Sequence, residues 1–382
     1  MADLVSTELH IRGGALCGLG TWQGEELVIP EGVGRISGAF ANSRGVERVK
    51  SILFPSTLRD MDADVFRNCI NLERVTFRDG LVYPRARLFA GLKKLTEVTL
   101  PATMKRLLYD SFENCKSLRR VVIPEGVESI GSNAFANCES LREIAFPASL
   151  KEIAADAFRG CPHLITEEGG VSYVGNWAIK GDKSATELTV RSGTVGIAAL
   201  AFCRCGALKR ITLPEGLRFV CGGAFEKCAA LERVDFPDTL EHIKDMAFCD
   251  CDELQNIALP AASSPNCLGK LFRVHSGGNE NDRYVPSTLK TVRILGGKHI
   301  AEYAFIHCYN VERVLLPEGL LSIGEAAFMD CKSIFEIALP ESLAKIESRA
   351  FFGCKRLSHV AMPKIAPEID SSAFYGTPYG AE

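Results

Sequence analysis

Fifteen cysteines and seven histidines in a chain of 382 residues are enough to build metal centres, redox pairs or nucleophilic sites, so their spacing decides what chemistry is available. Structural zinc needs close ligand pairs such as C-x-x-C at a set separation, and the chain contains no C-x-x-C. Cys203-x-Cys205 and Cys249-x-Cys251 come nearest, but Cys205 and Cys251 belong to a regular series. Cys69, Cys115, Cys138, Cys161, Cys205, Cys228, Cys251, Cys308, Cys331 and Cys354 all stand three residues after a phenylalanine. A slot that regular is a packing slot, because a free cysteine behaves as a small buried apolar side chain with a weak S–H donor. Stacked in parallel, such thiols have poor disulfide geometry and are expected to be reduced and unreactive. The histidines, His10, His163, His242, His275, His299, His307 and His359, fall at unrelated slots. No nucleophile elbow, H-E-x-x-H or phosphate loop is present, and no G-x-G-x-x-G opens a helix. Adjacent carboxylates such as Glu25 and Glu26, or Glu167 and Glu168, read as solvated turn residues rather than a general acid and base. The expectation is no enzyme, no cofactor and no metal.

The slot that holds the cysteines belongs to a longer repeating element. Phenylalanine recurs at 40, 66, 89, 112, 135, 158, 202, 225, 248, 272, 305, 328, 351 and 374, and nine of the thirteen intervals are 23 residues. A period of 23 lies within the 20 to 29 residues typical of leucine-rich repeats. After Phe112 the other columns move in step: Cys115, Leu118, Val121, Ile123, Pro124, Val127 and Ile130. Leu118, Val121 and Ile123 give the alternation of a short strand with its apolar side inward. Pro124 removes a ladder donor and ends it. Val127, Ile130, Ala134 and Phe135 then supply a second inward wall. No single repeat can bury such a face, so stacked neighbours must share one core.

Composition agrees. Apolar residues make up 47% of the chain, and 44 basic and 47 acidic residues are mixed without long runs of one sign, which argues against a nucleic-acid footprint. No stretch approaches the eighteen or so apolar residues of a membrane span. Met1 to Gly20 carries Asp3, Glu8 and His10 and lacks the basic start and apolar centre of a secretory leader. As it stands the chain reads as cytoplasmic, with secretion or the cell surface as the alternative if a leader has been removed.

The pattern Leu141-x-x-Ile144-x-Phe146-Pro147-x-x-Leu150-x-x-Ile153-x-x-x-Ala157-Phe158-x-x-Cys161 resembles the BspA-like leucine-rich repeats of bacterial surface proteins and some protists. The resemblance spans residues 26 to 378. It implies a right-handed horseshoe solenoid, with a parallel sheet on the concave face and turns, 3-10 or irregular segments on the convex face. It also implies adhesion to host proteins or other cells, and a bacterial source. The expected organisation is an N-terminal cap over 1–25, a single solenoid of about fourteen repeats over 26–378, and a tail over 379–382. Two insertions interrupt the period. Residues 165–184 read as a glycine-rich hairpin or loop, and 273–288 as a projecting loop of polar turn formers.

Binding would fall to the outward strand positions. Eight residues after each Phe, or at the matching point of irregular repeats, stand Arg48, Arg74, Glu97, Arg120, Glu143, Glu187, Arg210, Arg233, Asn256, Thr291, Arg313, Glu336 and His359. Alternating signs suggest ion pairs along much of this column. Like-charged neighbours, Arg48 with Arg74 and Arg210 with Arg233, fit that pairing less well and become candidates for an acidic partner. Arg313, exposed Leu315 and Phe335, and the aromatics Tyr173 and Trp177 of the first insertion complete the candidate surface. The expected partner is a protein or peptide, with neither nucleic acid nor membrane insertion, and the expected state is a monomer with weak self-association as the alternative. A structural spacer or self-assembling component is the second functional reading.

Overall fold

The structure, a computed structural model, describes residues 8–260, 267–272 and 285–379. It is a parallel-strand β-solenoid of about fourteen turns with almost no helix. The chain divides into two compact units, Met1–Thr166 and Glu167–Glu382.

One turn of the first unit shows why the sequence coils. Strand Arg120–Val122 buries Val121 and exposes the residues on either side. It pairs in parallel with Glu143–Ala145, so each residue faces its equivalent 23 positions on. Pro124 and Gly126 turn the chain, and strand Ser129–Ile130 pairs with Glu152–Ile153 and Arg106–Leu107 on the opposite wall. That wall was legible only as turns and irregular segments; it carries its own narrow parallel ladder of two-residue strands. Around Phe135 the backbone is left-handed at both Asn133 and Asn137, a conformation short polar side chains tolerate, and this folds the Phe back into the core.

Three sets of contacts recur between successive turns. The phenylalanines stack face to face, with Phe112, Phe135 and Phe158 separated by 5.2 and 5.6 Å and nearly parallel. Seven buried thiols, on Cys115, Cys138, Cys161, Cys228, Cys251, Cys331 and Cys354, donate to the carbonyl of the preceding turn's Phe at 3.0–3.1 Å. Ser149 accepts from the Gly126 N–H and donates to the Val127 carbonyl, both at 2.9 Å, and Thr57, Thr103, Thr239 and Ser342 do the same in their turns. These bonds satisfy turn amides and carbonyls that the narrow strands leave over.

The first unit opens with an antiparallel hairpin, His10–Arg12 with Ala15–Gly18, whose second strand passes into the parallel ladder through Arg35–Ile36. Its outward sheet runs Glu26–Val28, Ser51–Phe54, Arg74–Phe77 and Glu97–Thr99. On the other wall Pro84 takes the place a strand residue would hold, and no strand forms there between Asp60–Met61 and Arg106–Leu107.

The second unit opens in the same way. Within the first insertion, read from its glycines as a hairpin or loop, Val171–Val174 and Trp177–Gly181 pair antiparallel, and Trp177–Gly181 joins the ladder at Gly196–Ile197. Its outward sheet runs Glu187–Thr189, Arg210–Thr212, Arg233–Val234, Asn256–Pro260, Thr291–Leu295 and Arg313–Leu315, followed by the pair Glu336–Ala338 and His359–Ala361. The short helix Cys267–Phe272 carries the repeat's phenylalanine, with Leu271 accepting the Phe248 N–H at 2.8 Å, and buries Leu268, Leu271 and Phe272. Of the second insertion, residues 273–284 lie outside the described residues, as do 1–7 of the expected N-terminal cap and 380–382 of the tail.

Candidate partner-binding face

On a strand only alternate side chains face out, so each turn offers two positions to a partner. In the second unit the first column reads Glu187, Arg210, Arg233, Asn256, Thr291, Arg313, Glu336, His359, and ladder partners confirm most of the register: Glu187 faces Arg210, Arg210 faces Arg233, and Thr291 faces Arg313. The second column reads Thr189, Thr212, Asp235, Ala258, Arg293, Leu315, Ala338, Ala361.

These columns are not electrically equivalent along their length. Arg210 approaches Glu187 at 4.0 Å, Arg233 is held by Asp235, just past its own strand, at 2.7 Å, and Arg293 reaches Asp238 at 3.2 Å. Exposed pairs of this kind contribute only about 0–1 kcal/mol each, and the Arg210 contact is too long for a hydrogen bond, but each sets an opposite charge beside its arginine. Arg313 and Glu336 differ: among the described residues neither has an ion pair or a side-chain hydrogen bond, although both stand in the slots that Arg120 and Glu143 fill in the first unit, where the pair closes at 3.4 Å.

The same stretch of sheet is grooved. A depression of about 400 Å³ is lined by Arg313, Leu315, Glu336, Ala338, His359 and Ala361. Two neighbours, of about 430 and 320 Å³, continue it past Arg233, Asp235 and Asn256 and toward Asp238, Arg293 and Glu318. Leu315 lines all three and is 46% exposed, a central apolar side chain with Arg293 beside it on one strand and Ala338 on the other. Phe335, 41% exposed, meets the His359 ring edge to face at 6.4 Å beside the groove.

The structure therefore brings together Arg313, Leu315 and Phe335, and puts Arg233 in the adjoining groove. Glu336 and His359 stand in the outward column but were not singled out by sequence; Arg120 and Glu143 sit on strands of the same pattern and do pair, so the sequence carries no signal that separates them. Arg210 lies further along the sheet. Three expectations need correction. Tyr173 and Trp177 are 0% and 1% exposed and cannot touch a partner. Tyr173 accepts the Arg191 N–H at 3.0 Å beneath the Arg191 guanidinium, Trp177 stacks on Phe219, and together they seal the start of the second unit's core. Arg48 is not in the outward column: the longer first interval folds Val46–Arg48 into a 3-10 turn, and Ser51 is the residue that faces Arg74. The short Ser51 in turn lets Arg74 reach past it to Glu26 at 3.3 Å, so the expected pair of unspent arginines does not form there.

The thiol column does structural work in both units. Burial pushes Cys69, Cys115 and Cys228 up to about 12, so they stay protonated at neutral pH, and the thiols of Cys115 and Cys228 remain able to donate to their carbonyls. Cys17, Cys203 and Cys249 are the partly exposed thiols among the described residues.

Compared with known proteins, the profile described as BspA type leucine rich repeat region matches residues 25–165, 170–268 and 289–379 in six copies. The first gap coincides with the unit boundary and the second with the second insertion. No curated protein matches. Among solved structures, a leucine-rich repeat protein from Bacteroides ovatus is 25% identical, over 98% of this chain and 92% of that one, with a TM-score of 0.38. A leucine rich cell surface protein from Faecalibacterium prausnitzii is 20% identical over 98% and 95%, at 0.37, and a leucine-rich repeat protein from Eubacterium ventriosum 21% identical over 88% and 85%, at 0.39.

Proposed function

Because the chain belongs to the BspA-type leucine-rich repeat family, we propose that it is a non-enzymatic protein-binding module, for adhesion or scaffolding, that receives a protein or peptide on the outward sheet of its second unit around Arg313, Leu315 and Phe335. One observation carries this reading: the unspent Arg313 guanidinium stands beside the exposed Leu315 in a groove that continues across several strands. Arginine and aromatic side chains beside a fillable apolar groove are the make-up of binding hot spots. The groove is open and elongated, which suits an extended chain better than an enclosed metabolite. Small residues at Ala338 and Ala361 let a partner's backbone approach the sheet.

Selection of displayed peptides against the intact protein tests the proposal. Enriched peptides should lose about tenfold or more in affinity for Arg313→Ala and for Leu315→Ala, a hot-spot-sized effect, while Trp177→Phe leaves them unchanged. Peptides indifferent to both groove substitutions would place the binding surface elsewhere.

A further inference from the structure

We propose that one occupant of this groove is a second copy of the same chain, docked face to face about a two-fold axis running parallel to the strands between Arg313–Leu315 and Glu336–Ala338. The inference rests on the reading of this sheet as a binding face and names a partner for it.

The argument is one of self-complementarity. A two-fold axis in that position brings each strand of one copy over the neighbouring strand of the other. Arg313 then faces Glu336 of the second copy, and Glu336 faces the second Arg313. In the next outward column Leu315 of each copy lies over the other's Ala338, a large side chain above a small one. An isologous interface requires that the same patch satisfy itself in this reciprocal way. Few places on the outward sheet do. Arg210 faces Arg233, so an axis between those strands would also set arginine against arginine across the interface. Arg120 and Glu143 have the right signs, but they already pair with each other, and Val122 and Ala145 flank them instead of a leucine. At Arg313 and Glu336 opposite charges stand in equivalent slots of successive turns, both unpaired among the described residues, with the exposed Leu315 alongside. Further out, the same axis sets His359 over Thr291 and Ala361 over Arg293, whose charge Asp238 holds, so no like charges meet.

The match also predicts its own strength. With strands about 4.8 Å apart and about 3.3 Å per residue, three residues on four strands cover on the order of 200 Å². That is well under the ~800 Å² per partner of a tight interface, so the dimer is weak and forms at high concentration.

Sedimentation equilibrium of the whole chain, from micromolar to about millimolar, reads the association. The wild type should show a concentration-dependent rise in mass toward the dimer. Arg313→Glu and Glu336→Arg should each stay monomeric over the same range, since each then sets two like charges against their own copies. An equimolar mixture of the two variants should associate, because the doubly acidic patch of one then faces the doubly basic patch of the other. The variant carrying both exchanges should associate alone, its opposite charges merely traded between strands. A wild type that remains monomeric at the highest concentration overturns the proposal, as does a dimer indifferent to the single exchanges. Either result leaves peptide binding to be judged by its own selection, and loss of peptide binding with the dimer intact would remove only the broader reading.

Discussion

Replacing Phe135 by alanine removes the middle of an uninterrupted aromatic column. Phe135 is fully buried, and its ring lies parallel to Phe112 and Phe158 at 5.2 and 5.6 Å. Truncating a buried phenylalanine costs about 3–5 kcal/mol, and each stacked pair adds about 0.5–1.5 kcal/mol beyond burial. Two pairs vanish at once, and the turns above and below are held in register by their own thiol and backbone bonds, so the gap cannot collapse. The expected loss is therefore at the upper end, about 5 kcal/mol. In a unit of this size each kcal/mol lowers the melting temperature by about 2–4 °C, which gives a drop on the order of 10 °C or more. Circular dichroism melts of the variant and wild type read the shift, and urea titration shows whether the transition also broadens. Because each turn contacts only its neighbours, broadening would mean that turns flanking the gap melt ahead of the rest. A shift under about 2 °C in a cooperative melt would mean that the column contributes no shared core.

Three further outcomes follow from the same geometry. Trp177→Ala should lower the second unit's melting temperature, at a cost of about 3–5 kcal/mol, and leave groove peptides bound as before; lost peptide binding at unchanged stability would return Trp177 to the surface role expected from sequence. Glu31 accepts hydrogen bonds from Ser56, Thr57 and Arg78, and the Ser56 amide above all holds its pKa at about 2, below the ordinary 4.5. A depressed carboxylate stabilises the fold above its unfolded pKa and stops doing so as pH falls through the folded one. The melting difference between wild type and Glu31→Gln should accordingly be present at neutral pH, shrink below 4.5 and vanish near 2; a difference constant across that window refutes the pairing. Thiol labelling of native protein should be confined largely to Cys17, Cys203 and Cys249 among the described cysteines, whereas denatured, unreduced protein should yield all fifteen. Few free thiols on denaturation would mean a disulfide-bonded chain.

Periodic side chains made the repeat legible, because a solenoid core imposes the same demand on every turn. Phe, Cys and Pro slots each announced one inward contact or one strand end. The outward columns were readable wherever the period was intact, which is why Arg313 and Leu315 could be placed in them. Irregular stretches hid their geometry. Three extra residues between Phe40 and Phe66 were absorbed as a 3-10 turn, and that slid Arg48 out of the ladder. Tyr173 and Trp177 in a glycine-rich segment read alike whether they face a partner or close a core. What settles it is packing: Gly196 leaves room for the indole, and a Cβ there would lie 2.4 Å from the ring. Whether an arginine's charge is matched depends on rotamers that no column shows, as with Arg233 and Asp235 two residues on. One signal was present but unread. The recurrent P-x-[ST], as in Pro147-Ala148-Ser149, marks the hydroxyl staple between turns.

The second unit begins and finishes differently, and that gives its stack a direction. Outside the opening hairpin lies the strand Thr166–Glu168, exposed throughout and carrying Glu167 and Glu168, which makes it a poor template for another strand. At the other end His359–Ala361 and Glu368–Ile369 are the last strands of their sheets, with Ile369 part exposed and Ile365 82% exposed nearby. Tyr379 covers the last phenylalanine, Phe374, and among the described residues no further strand pairs with these two. The two rims therefore offer different templates: a repeat grafted after Ile369 would meet parallel-ladder strands and the exposed Ile365, whereas one grafted against Thr166–Glu168 would meet a strand carrying two carboxylates.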